Sequence, residues 1–468
     1  MNITILNGSP KKDLSVTMQY MKFLEKSFPS HRFNYIHAAF YGKRMEQNRG
    51  YFDEVMEQIR RADAVIWAFP LYYLLVHSRY KRFIELVFER QKQEVFAGKY
   101  TAALSTSIHF FDHTAHRYIR AVSEDLGMKY VDFYPAKMND LTREENHPSL
   151  IHFLQKLLDH VERCLPVSRD FAPVIETGFR YRPGSPPRSP APSPGGTVIV
   201  ADIDPDRPNV VRLAERAAAA FEKAAFVNLR GIPTGPCRGC LQCGFDNRCS
   251  YGEEDPFVRT LQRQILPAER IIFVLGMHDR YFSHAWQRYL ERNFVHTHQP
   301  VLSGKQVAFL ISGPLRQVPN TREILQGYTE TMQANLVDII TDEDGDSPKL
   351  DGLIDRMAAE MVHCSRHRIL SPPTFLGVGG MKVFRDDIAA GLRFVFQEDH
   401  RYYRRHGIYD PPLRRVLQSV LFTLLTALSK LPPVKKKIQA RMTSMMLRNY
   451  RKVLKNARSV EEDGHGVF

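Results

Sequence analysis

The sequence has little cysteine and no long apolar run. Six cysteines among 468 residues are too few for a disulfide scaffold, and four of them lie between Cys237 and Cys249. Such clustering is typical of a metal site or of redox thiols in a reducing compartment. No apolar run reaches the roughly 18 residues that span a bilayer. The chain opens directly into the apolar stretch Ile3–Leu6 with no export signal before it, so we expect a cytoplasmic protein.

Acidic residues are nearly absent from one segment of the chain. Residues 401–458 contain 15 Lys and Arg and one acid, Asp410. The whole chain has 65 basic and 51 acidic residues and a formal net charge of +14. Outside this basic segment the chain has 50 basic and 50 acidic residues. The surplus charge therefore belongs to a separate part of the chain, and the rest is electrically balanced.

Proline and glycine are concentrated in one stretch that divides the chain. Residues 183–196 contain six prolines and three glycines, a composition that excludes a helix or a central strand. We predict a domain over residues 1–165, a linker over 166–196, a second domain over 197–380 and a basic helical region over 381–468. At roughly 100–200 residues per domain, the length agrees with this division.

Short apolar runs alternate with amphipathic stretches in both halves. Predicted strands of the first half cover residues 2–6, 32–37, 64–68, 100–106 and 129–134, with helices at 16–27, 52–62, 80–90, 114–126 and 150–163. Those of the second half cover residues 197–201, 225–228, 270–275, 306–312 and 335–341, with helices at 210–224, 256–265, 284–294, 321–333 and 350–364. This alternation predicts an α/β fold with two tandem doubly wound parallel-sheet domains.

A polar loop follows the first predicted strand of each half, and in the first half it suits a phosphate. The loop between the first strand and the first helix contains Gly8, with Ser9, Lys11, Ser15, Val16 and Thr17 as candidate ligands. The carboxyl end of a strand is where an open α/β sheet binds ligands. Hydroxyls, a lysine and the first N–H groups of a helix together favour an anion.

The third predicted strand of the first half ends in a proline-fixed aromatic loop. Pro70, Leu71, Tyr72 and Tyr73 follow the buried run Ala64–Phe69. An aromatic loop beside the phosphate loop is a flat surface on which a ring can stack.

These two loops resemble the flavodoxin-like NAD(P)H-dependent FMN reductase family. The resemblance rests on Gly8-Ser9-Pro10-Lys11 with Ser15-Val16-Thr17, and on Pro70-Leu71-Tyr72 with the helix at Lys81-Arg82-Phe83-Ile84. It implies a flavodoxin-like fold in each half. It also implies that FMN binds with its phosphate on the first loop and its ring against Pro70–Tyr73, and that NAD(P)H stacks directly on the flavin.

In this family a third loop closes on the ring, and it corresponds to residues 105–109. This loop includes the candidate Thr106 but lacks the usual glycines. His109, His113 and His116 lie near the predicted mouth of the site, as proton donors or as solvated or helix-capping residues. No catalytic side chain is assigned, because the flavin itself carries out the chemistry.

The second half carries the motif C-x2-C-x2-C-x5-C, formed by Cys237, Cys240, Cys243 and Cys249. Four thiolates at this spacing suit a 4Fe–4S cluster, while tetrahedral zinc and metal-free thiols remain alternatives. The motif is similar to that of the iron–sulfur flavoproteins of the same flavodoxin-like group.

The flavin loops of the second half are degenerate. Asp202, Asp204 and Asp206 stand where the first half has its phosphate loop, and carboxylates repel a phosphate at close range. Residues 276–281 replace the Pro-x-Tyr loop. We therefore expect a division of labour in which the first half binds FMN and the second half brings its cysteines to that flavin.

The basic region is predicted to contain two helical stretches separated by Pro432-Pro433. Residues 416–431 are mostly apolar, and residues 434–455 combine apolar positions with Lys and Arg. Basic amphipathic helices bind anionic membrane surfaces, which would make the protein peripheral on the inner membrane face. Packing on the domains or homo-oligomerisation is an alternative, and nucleic acid is the least supported partner because no recognition motif is present.

Together these features predict an FMN-dependent NAD(P)H oxidoreductase that passes electrons to a small-molecule acceptor such as a quinone, a flavin or an organic compound. The alternative is a non-enzymatic protein of the same fold, either an electron carrier or a membrane-associated scaffold.

Overall fold

The computed structural model describes residues 1–409 together with Leu431 and Pro433. Residues 1–402 pack as one compact unit, and a second unit begins at Tyr403. The two predicted helical stretches of the basic tail, 416–431 and 434–455, lie outside the described residues apart from Leu431. No helix within the described part of the chain is long and apolar enough to cross a membrane.

The first domain is built on a parallel five-stranded sheet. Its strands are β1 (Asn2–Asn7), β2 (Arg32–Ile36), β3 (Ala64–Pro70), β4 (Tyr100–Ser107) and β5 (Lys129–Lys137). They are arranged in the order β2-β1-β3-β4-β5. The chain reverses direction across the sheet between β1 and β3, and this is the position where a doubly wound sheet binds its ligand.

Helices cover both faces of this sheet. They are α1 (Val16–Ser27), α2 (Ala38–Gln47), α3 (Arg49–Arg60), α4 (Ser78–Glu89), α5 (Asp112–Asp125) and α6 (His147–Glu162). Two apolar cores result, one on each face, which is why β3 and β4 are buried along nearly their whole length.

The second domain repeats the topology. Its strands are β6 (Thr197–Ala201), β7 (Ala225–Asn228), β8 (Arg270–Gly276), β9 (Gln306–Ser312) and β10 (Asn335–Thr341). Its helices are α7 (Pro208–Ala219), α8 (Cys243–Asp246), α9 (Pro256–Thr260), α10 (His284–Asn293), α11 (Pro319–Thr331) and α12 (Ser347–His367). The strand order is β10-β9-β8-β6-β7. In the reverse direction, β7-β6-β8-β9-β10, it is the same arrangement as in the first sheet. The predicted fold class, two tandem flavodoxin-like α/β domains, is confirmed.

Equivalent helices of the two domains pack against each other. Helix α4 contacts α10, and α5 contacts α11. Each pair occupies corresponding places in the two domains, as in the self-complementary interface of a two-fold dimer. The two copies are therefore related as the subunits of a dimer joined in one chain.

Residues 166–196 form no helix or strand, yet they are anchored. The buried side chain of Tyr181 donates a hydrogen bond to Asp351, and Ala191 forms a bridge with Phe221. The Glu124 carboxylate accepts from the amides of Asp170 and Phe171. The linker therefore packs along both domains.

A segment that we call the strap, residues 375–402, follows the second domain. It contains helix α13 (Phe375–Ala390) and most of α14 (Gln397–Arg405). Phe384 packs on Phe110 of the first domain, with ring centroids 4.2 Å apart. In the second domain, Asp399 accepts hydrogen bonds from Thr297 and His298. The strap therefore connects both domains.

Candidate functional site

The phosphate loop lies where β1 meets β3. The amide of Gly8 donates to the carbonyl of Ala68 at 2.8 Å. A Cβ on Gly8 would lie 2.7 Å from the Cβ of Phe69 and 2.8 Å from the ring of Tyr80, so only glycine permits this approach. The sequence thus brings the ends of two central strands together at the switch point of the sheet.

The candidate hydroxyls of this loop are buried around the start of α1. Ser15 is the N-cap of the helix and accepts from the amide of Met18. The hydroxyls of Thr17 and Thr106 lie 2.7 Å apart, and Ser9 Oγ accepts from the amide of Lys11 at 3.2 Å. Four predicted residues from β1, α1 and β4 are therefore brought to one place.

Two features of the phosphate loop remain available to bind an anion. Lys11 is exposed, and its ammonium forms no ion pair with any residue that the structure describes. The first N–H groups of α1, at Val16 and Thr17, have no partner within the helix, and such groups attract anions. Buried hydroxyls, free helix amides and one unpaired lysine fit the phosphate of FMN.

The aromatic loop forms a tight, strained turn. Tyr72 and Leu75 exchange two backbone hydrogen bonds, of 2.7 and 3.2 Å, across Tyr73 (φ 34°) and Leu74 (φ 67°). Two successive positive φ values are typical of a type I′ turn, which favours glycine or asparagine. Non-glycine residues persist in this conformation only where their surroundings hold them.

The second domain supplies that support. Gln287 of α10 is fully buried and donates through Nε2 to the carbonyls of Tyr72 at 2.8 Å and Tyr73 at 3.3 Å. The ring of Tyr73 also packs edge-on against Tyr328, 6.1 Å between centroids. The loop predicted to carry the flavin ring is therefore held by residues more than 200 positions away.

The third loop adopts left-handed backbone without glycine. His109 (φ 66°) and Phe111 (φ 56°) lie in the region that glycine favours. Phe110 packs against the strap, and Phe111 lies against Gly327 of the second domain. Packing on other segments therefore replaces the conformational freedom of the missing glycines.

The three histidines near this loop have separate partners. His109 lies 2.8 Å from Asp112, and this hydrogen bond raises the pKa of His109. His113 lies 2.7 Å from Glu323 of the second domain. His116 is buried against Ser105, 2.8 Å away, and burial lowers its pKa to about 4. His116 is therefore neutral at physiological pH.

The cysteine loop of the second domain lies directly on the flavin loops of the first. A Cβ built on Gly239 would lie less than 3 Å from the hydroxyl of Tyr72 and 3.3 Å from Cε of Lys11. His77 Nε2 lies 2.9 Å from the carbonyl oxygen of Cys237. The cysteines of one copy therefore meet the candidate flavin site of the other within a single chain.

A single carboxylate joins these two loops. Glu291 of α10 accepts from the amide of Cys237 at 3.0 Å. It also accepts from the amide and the hydroxyl of Ser78, at 3.1 and 2.6 Å. All three residues are at most partly exposed, so Glu291 fixes the cysteine loop to the start of α4.

The predicted iron–sulfur or zinc site does not fit this arrangement. Among residues 1–409, no group of three or more His, Cys, Asp or Glu side chains is positioned to hold a metal ion. Cys237 Sγ accepts from the amide of Gly239, Cys249 Sγ accepts from Arg292, and Cys240 is exposed. Cys237, Cys240, Cys243 and Cys249 therefore share a loop, but no three of these side chains are positioned to hold one metal ion.

The degenerate phosphate loop of the second domain is occupied by an arginine of the same chain. Arg230 donates to Asp202 and Asp204, each at 2.8 Å, and lies 3.2 Å from His278. The single positive charge of Arg230 thereby offsets part of the negative charge of Asp202 and Asp204.

The second degenerate loop, residues 276–281, has become part of the interface. Asp279 accepts from the buried Lys81 of α4 at 3.0 Å, and Glu85 accepts from the same ammonium at 2.9 Å. Burial lowers the pKa of Lys81, but these two carboxylates outweigh it and the pKa is raised. Arg280 forms two hydrogen bonds with Asp125, of 2.7 and 2.6 Å. This loop therefore docks the second domain onto the first.

Sequence reasoning did not identify Gln287 and Glu291. Both lie on α10, four residues apart and hence on one helix face, in a stretch that also holds buried Trp286 and Leu290. Helix α10 has the mostly polar sequence HAWQRYLERN, so these two residues do not stand out in it, and nothing in the sequence indicates their partners.

The comparisons with known proteins concern the first domain. Residues 1–161 match the family model described as a flavodoxin-like fold. A comparison with curated proteins found no significant match. Among solved structures, the chain is similar to an NADH:FMN oxidoreductase, EMOB, in its apo form, with 18% identity over 36% of this chain and 91% of that one and a TM-score of 0.29.

Two further structures give similar values. The flavoenzyme NAD(P)H:(acceptor) oxidoreductase FerB from Paracoccus denitrificans has 19% identity over 35% of this chain and 97% of that one, with a TM-score of 0.30. An FMN-dependent NADH-azoreductase from Bacillus anthracis, in complex with FMN, has 14% identity over 35% and 99%, with a TM-score of 0.25. The family match over residues 1–161 and the observed strand order agree on a flavodoxin-like fold for the first domain.

Proposed function

We propose that the protein is an FMN-dependent NAD(P)H oxidoreductase whose flavin site lies in the first domain. The observation that carries this proposal is the meeting of two loops at the switch point of the first sheet. Residues 8–17 offer hydroxyls, helix amides and an unpaired lysine, and residues 70–73 offer an aromatic loop beside them.

The residues of the chain would bind and orient the cofactor. Ser9, Ser15, Thr17 and Lys11, with the first amides of α1, would hold the phosphate of FMN. Tyr72 and Tyr73, fixed by Gln287, would support the ring. Burial raises the pKa of Tyr72 well above its usual value, so its hydroxyl stays protonated. The bound flavin would accept hydride from NAD(P)H and pass electrons to an acceptor.

The second domain completes this site rather than forming another. Its own phosphate position is taken by Arg230, and its second loop is used for docking through Asp279. Its cysteine loop, centred on Gly239, covers the first domain's loops. One flavin per chain is therefore the proposed stoichiometry, and the acceptor is a quinone, a free flavin or a small electrophilic organic compound.

The test is a titration of the full-length protein with FMN, followed by anaerobic addition of NADH or NADPH. We expect one FMN per chain and loss of the oxidised-flavin absorbance on addition of the nicotinamide. Lys11→Gln is the matched variant, since it removes the unpaired charge at the phosphate. A protein that binds no FMN, or binds it without being reduced by either nicotinamide, would contradict the proposal and favour a non-enzymatic carrier or scaffold.

A further inference from the structure

We propose that Cys237 and Cys240 form a redox-active pair that exchanges electrons with the flavin held by the first domain. This proposal rests on the proposed function, because it assumes that the flavin binds against Tyr72 and Lys11. It also goes beyond it, because it assigns a catalytic role to thiols of the second domain.

The position of the pair is the first argument. Gly239, between the two cysteines, lies against the Tyr72 hydroxyl and the Lys11 side chain. The carbonyl of Cys237 is within hydrogen-bond distance of His77. The residues flanking Gly239 are thus placed at the loops that would hold the flavin.

The local backbone is the second argument. Gly239 has φ 62° and Leu241 has φ 60°. The backbone is therefore left-handed on both sides of Cys240, once between the two cysteines and once directly after them. Two cysteines separated by two residues can close a disulfide in such a turn, as in other C-x-x-C redox sites. The amide of Cys237 is fixed by the Glu291 carboxylate at 3.0 Å, which holds one end of the turn in place.

The exposure of the two thiols differs, and this is the third argument. Cys240 is exposed, whereas Cys237 is partly covered. A redox pair commonly combines one accessible thiol with one protected thiol, because exchange with another sulfur starts at the accessible one.

The electron balance is simple. Reduction breaks the S–S bond between Cys237 and Cys240 and takes up two electrons and two protons, giving two thiols. The reduced flavin would supply the two electrons and the two protons and return to its oxidised form. It would itself have been reduced by hydride from NAD(P)H together with a proton from solvent. No further oxidant or reductant is needed.

The experiment uses the full-length protein, purified anaerobically, treated with diamide and then desalted. Thiols are alkylated with iodoacetamide and the peptides are mapped by mass spectrometry. We expect a disulfide between Cys237 and Cys240 after oxidation. Adding NADPH or NADH should convert both to alkylated thiols when FMN is bound, and should leave the disulfide intact without FMN. Cys164→Ser, at an isolated exposed cysteine, should behave as wild type, whereas Cys240→Ser should abolish the disulfide.

The possible failures are distinguishable. If FMN binds and is reduced while the disulfide persists, this proposal is wrong and the proposed function stands. If FMN does not bind, the proposed function and the electron exchange both fail. In that case the diamide step still tests the pair, and a missing disulfide or one between Cys240 and Cys243 refutes it. Stoichiometric iron or zinc in the anaerobically purified protein would also overturn the proposal.

Discussion

Gly239 of the second domain lies against the hydroxyl of Tyr72 of the first, at a distance that leaves no room for a Cβ. One of these residues belongs to a cysteine loop and the other to the loop that would support a flavin ring. Their contact joins the cysteine loop of the second domain to the aromatic loop of the first. Under the proposed function, the two copies therefore form one composite site rather than two independent ones.

This contact gives the first prediction. Gly239→Ala should destabilise the protein by about 1–3 kcal/mol through overpacking, in addition to the cost of a positive φ. It should also increase the alkylation rate of Cys237 by loosening the loop. Gly252→Ala is the matched control, because Gly252 also has a positive φ (90°) but has no atom within 4 Å of its Cβ position. Equal destabilisation of the two variants in urea unfolding would contradict the packing argument.

The second prediction concerns the phosphate. Lys11→Gln should weaken FMN binding about tenfold, the equivalent of about 1.4 kcal/mol, because a charge-assisted contact to the phosphate is lost. Riboflavin, which has no phosphate, should bind both proteins equally. Lys12→Gln is the control, since the Lys12 ammonium donates to the Tyr41 hydroxyl at 2.8 Å. Fluorescence titration measures FMN and riboflavin affinities for the wild type and both variants, and an equal loss for riboflavin would show that Lys11 does not contact the phosphate.

The strands could be predicted closely from the sequence, but helices α2 and α8 could not. The bounds of β6, β7, β9 and β10 agree with the predicted ones. For β6 and β9 the reason is that buried parallel strands are continuous apolar runs between polar turns. Helix α2, by contrast, was not predicted. Its central Gly42 lowers helix propensity, yet a Cβ there would lie 3.2 Å from the carbonyl of Arg79, so the glycine permits close packing on α4.

Close packing at glycines also explains why the first turns of helix α13, at the start of the strap, were not predicted. A helical region was predicted from residue 381, whereas α13 begins at Phe375. Gly377 and Gly380 argue against a helix locally, but both pack closely, Gly377 against Glu330 and Gly380 against Thr331 and Phe110. Tertiary contacts therefore select glycines that local propensity disfavours.

The parts of the candidate site that could be predicted are those whose residues are close together in the sequence. The loops at Gly8–Thr17 and Pro70–Tyr73 follow strands and carry their own signals. Gln287 and Glu291 act across the domain interface, so their roles depend on how the two copies dock. Docking depends on buried ionic contacts such as Lys81 with Asp279, which have no sequence pattern.

The third prediction tests Gln287 as a positioning residue. Gln287→Leu keeps the volume but removes the donor to the carbonyls of Tyr72 and Tyr73. We expect a loss of about 1–2 kcal/mol in stability and several-fold weaker binding of both FMN and riboflavin, because the strained turn relaxes. Gln326→Leu on α11, whose amide donates only to Glu330, is the control. Unchanged riboflavin affinity in the Gln287 variant would remove the positioning role.

The fourth prediction concerns the basic tail, which we propose binds anionic membrane surfaces. Replacing Lys435, Lys436 and Lys437 with Gln removes three positive charges, each worth about 1 kcal/mol near an anionic surface. The full-length variant should sediment less with vesicles containing phosphatidylserine than the wild type does. Neither protein should sediment with neutral phosphatidylcholine vesicles, and equal sedimentation of the two with anionic vesicles would exclude a role for these lysines.

The fifth prediction follows from the buried His116. Burial lowers its folded-state pKa to about 4, against about 6.5 in the unfolded chain. Below about pH 6.5 the unfolded state binds a proton that the folded state does not, so stability falls as the pH falls towards about 4. Between about pH 7 and about pH 5 this residue should cost about 2 kcal/mol. Urea midpoints should therefore drop less over this range in His116→Gln than in the wild type. His116→Gln would instead keep the wild-type pH dependence if His116 were protonated in the folded state.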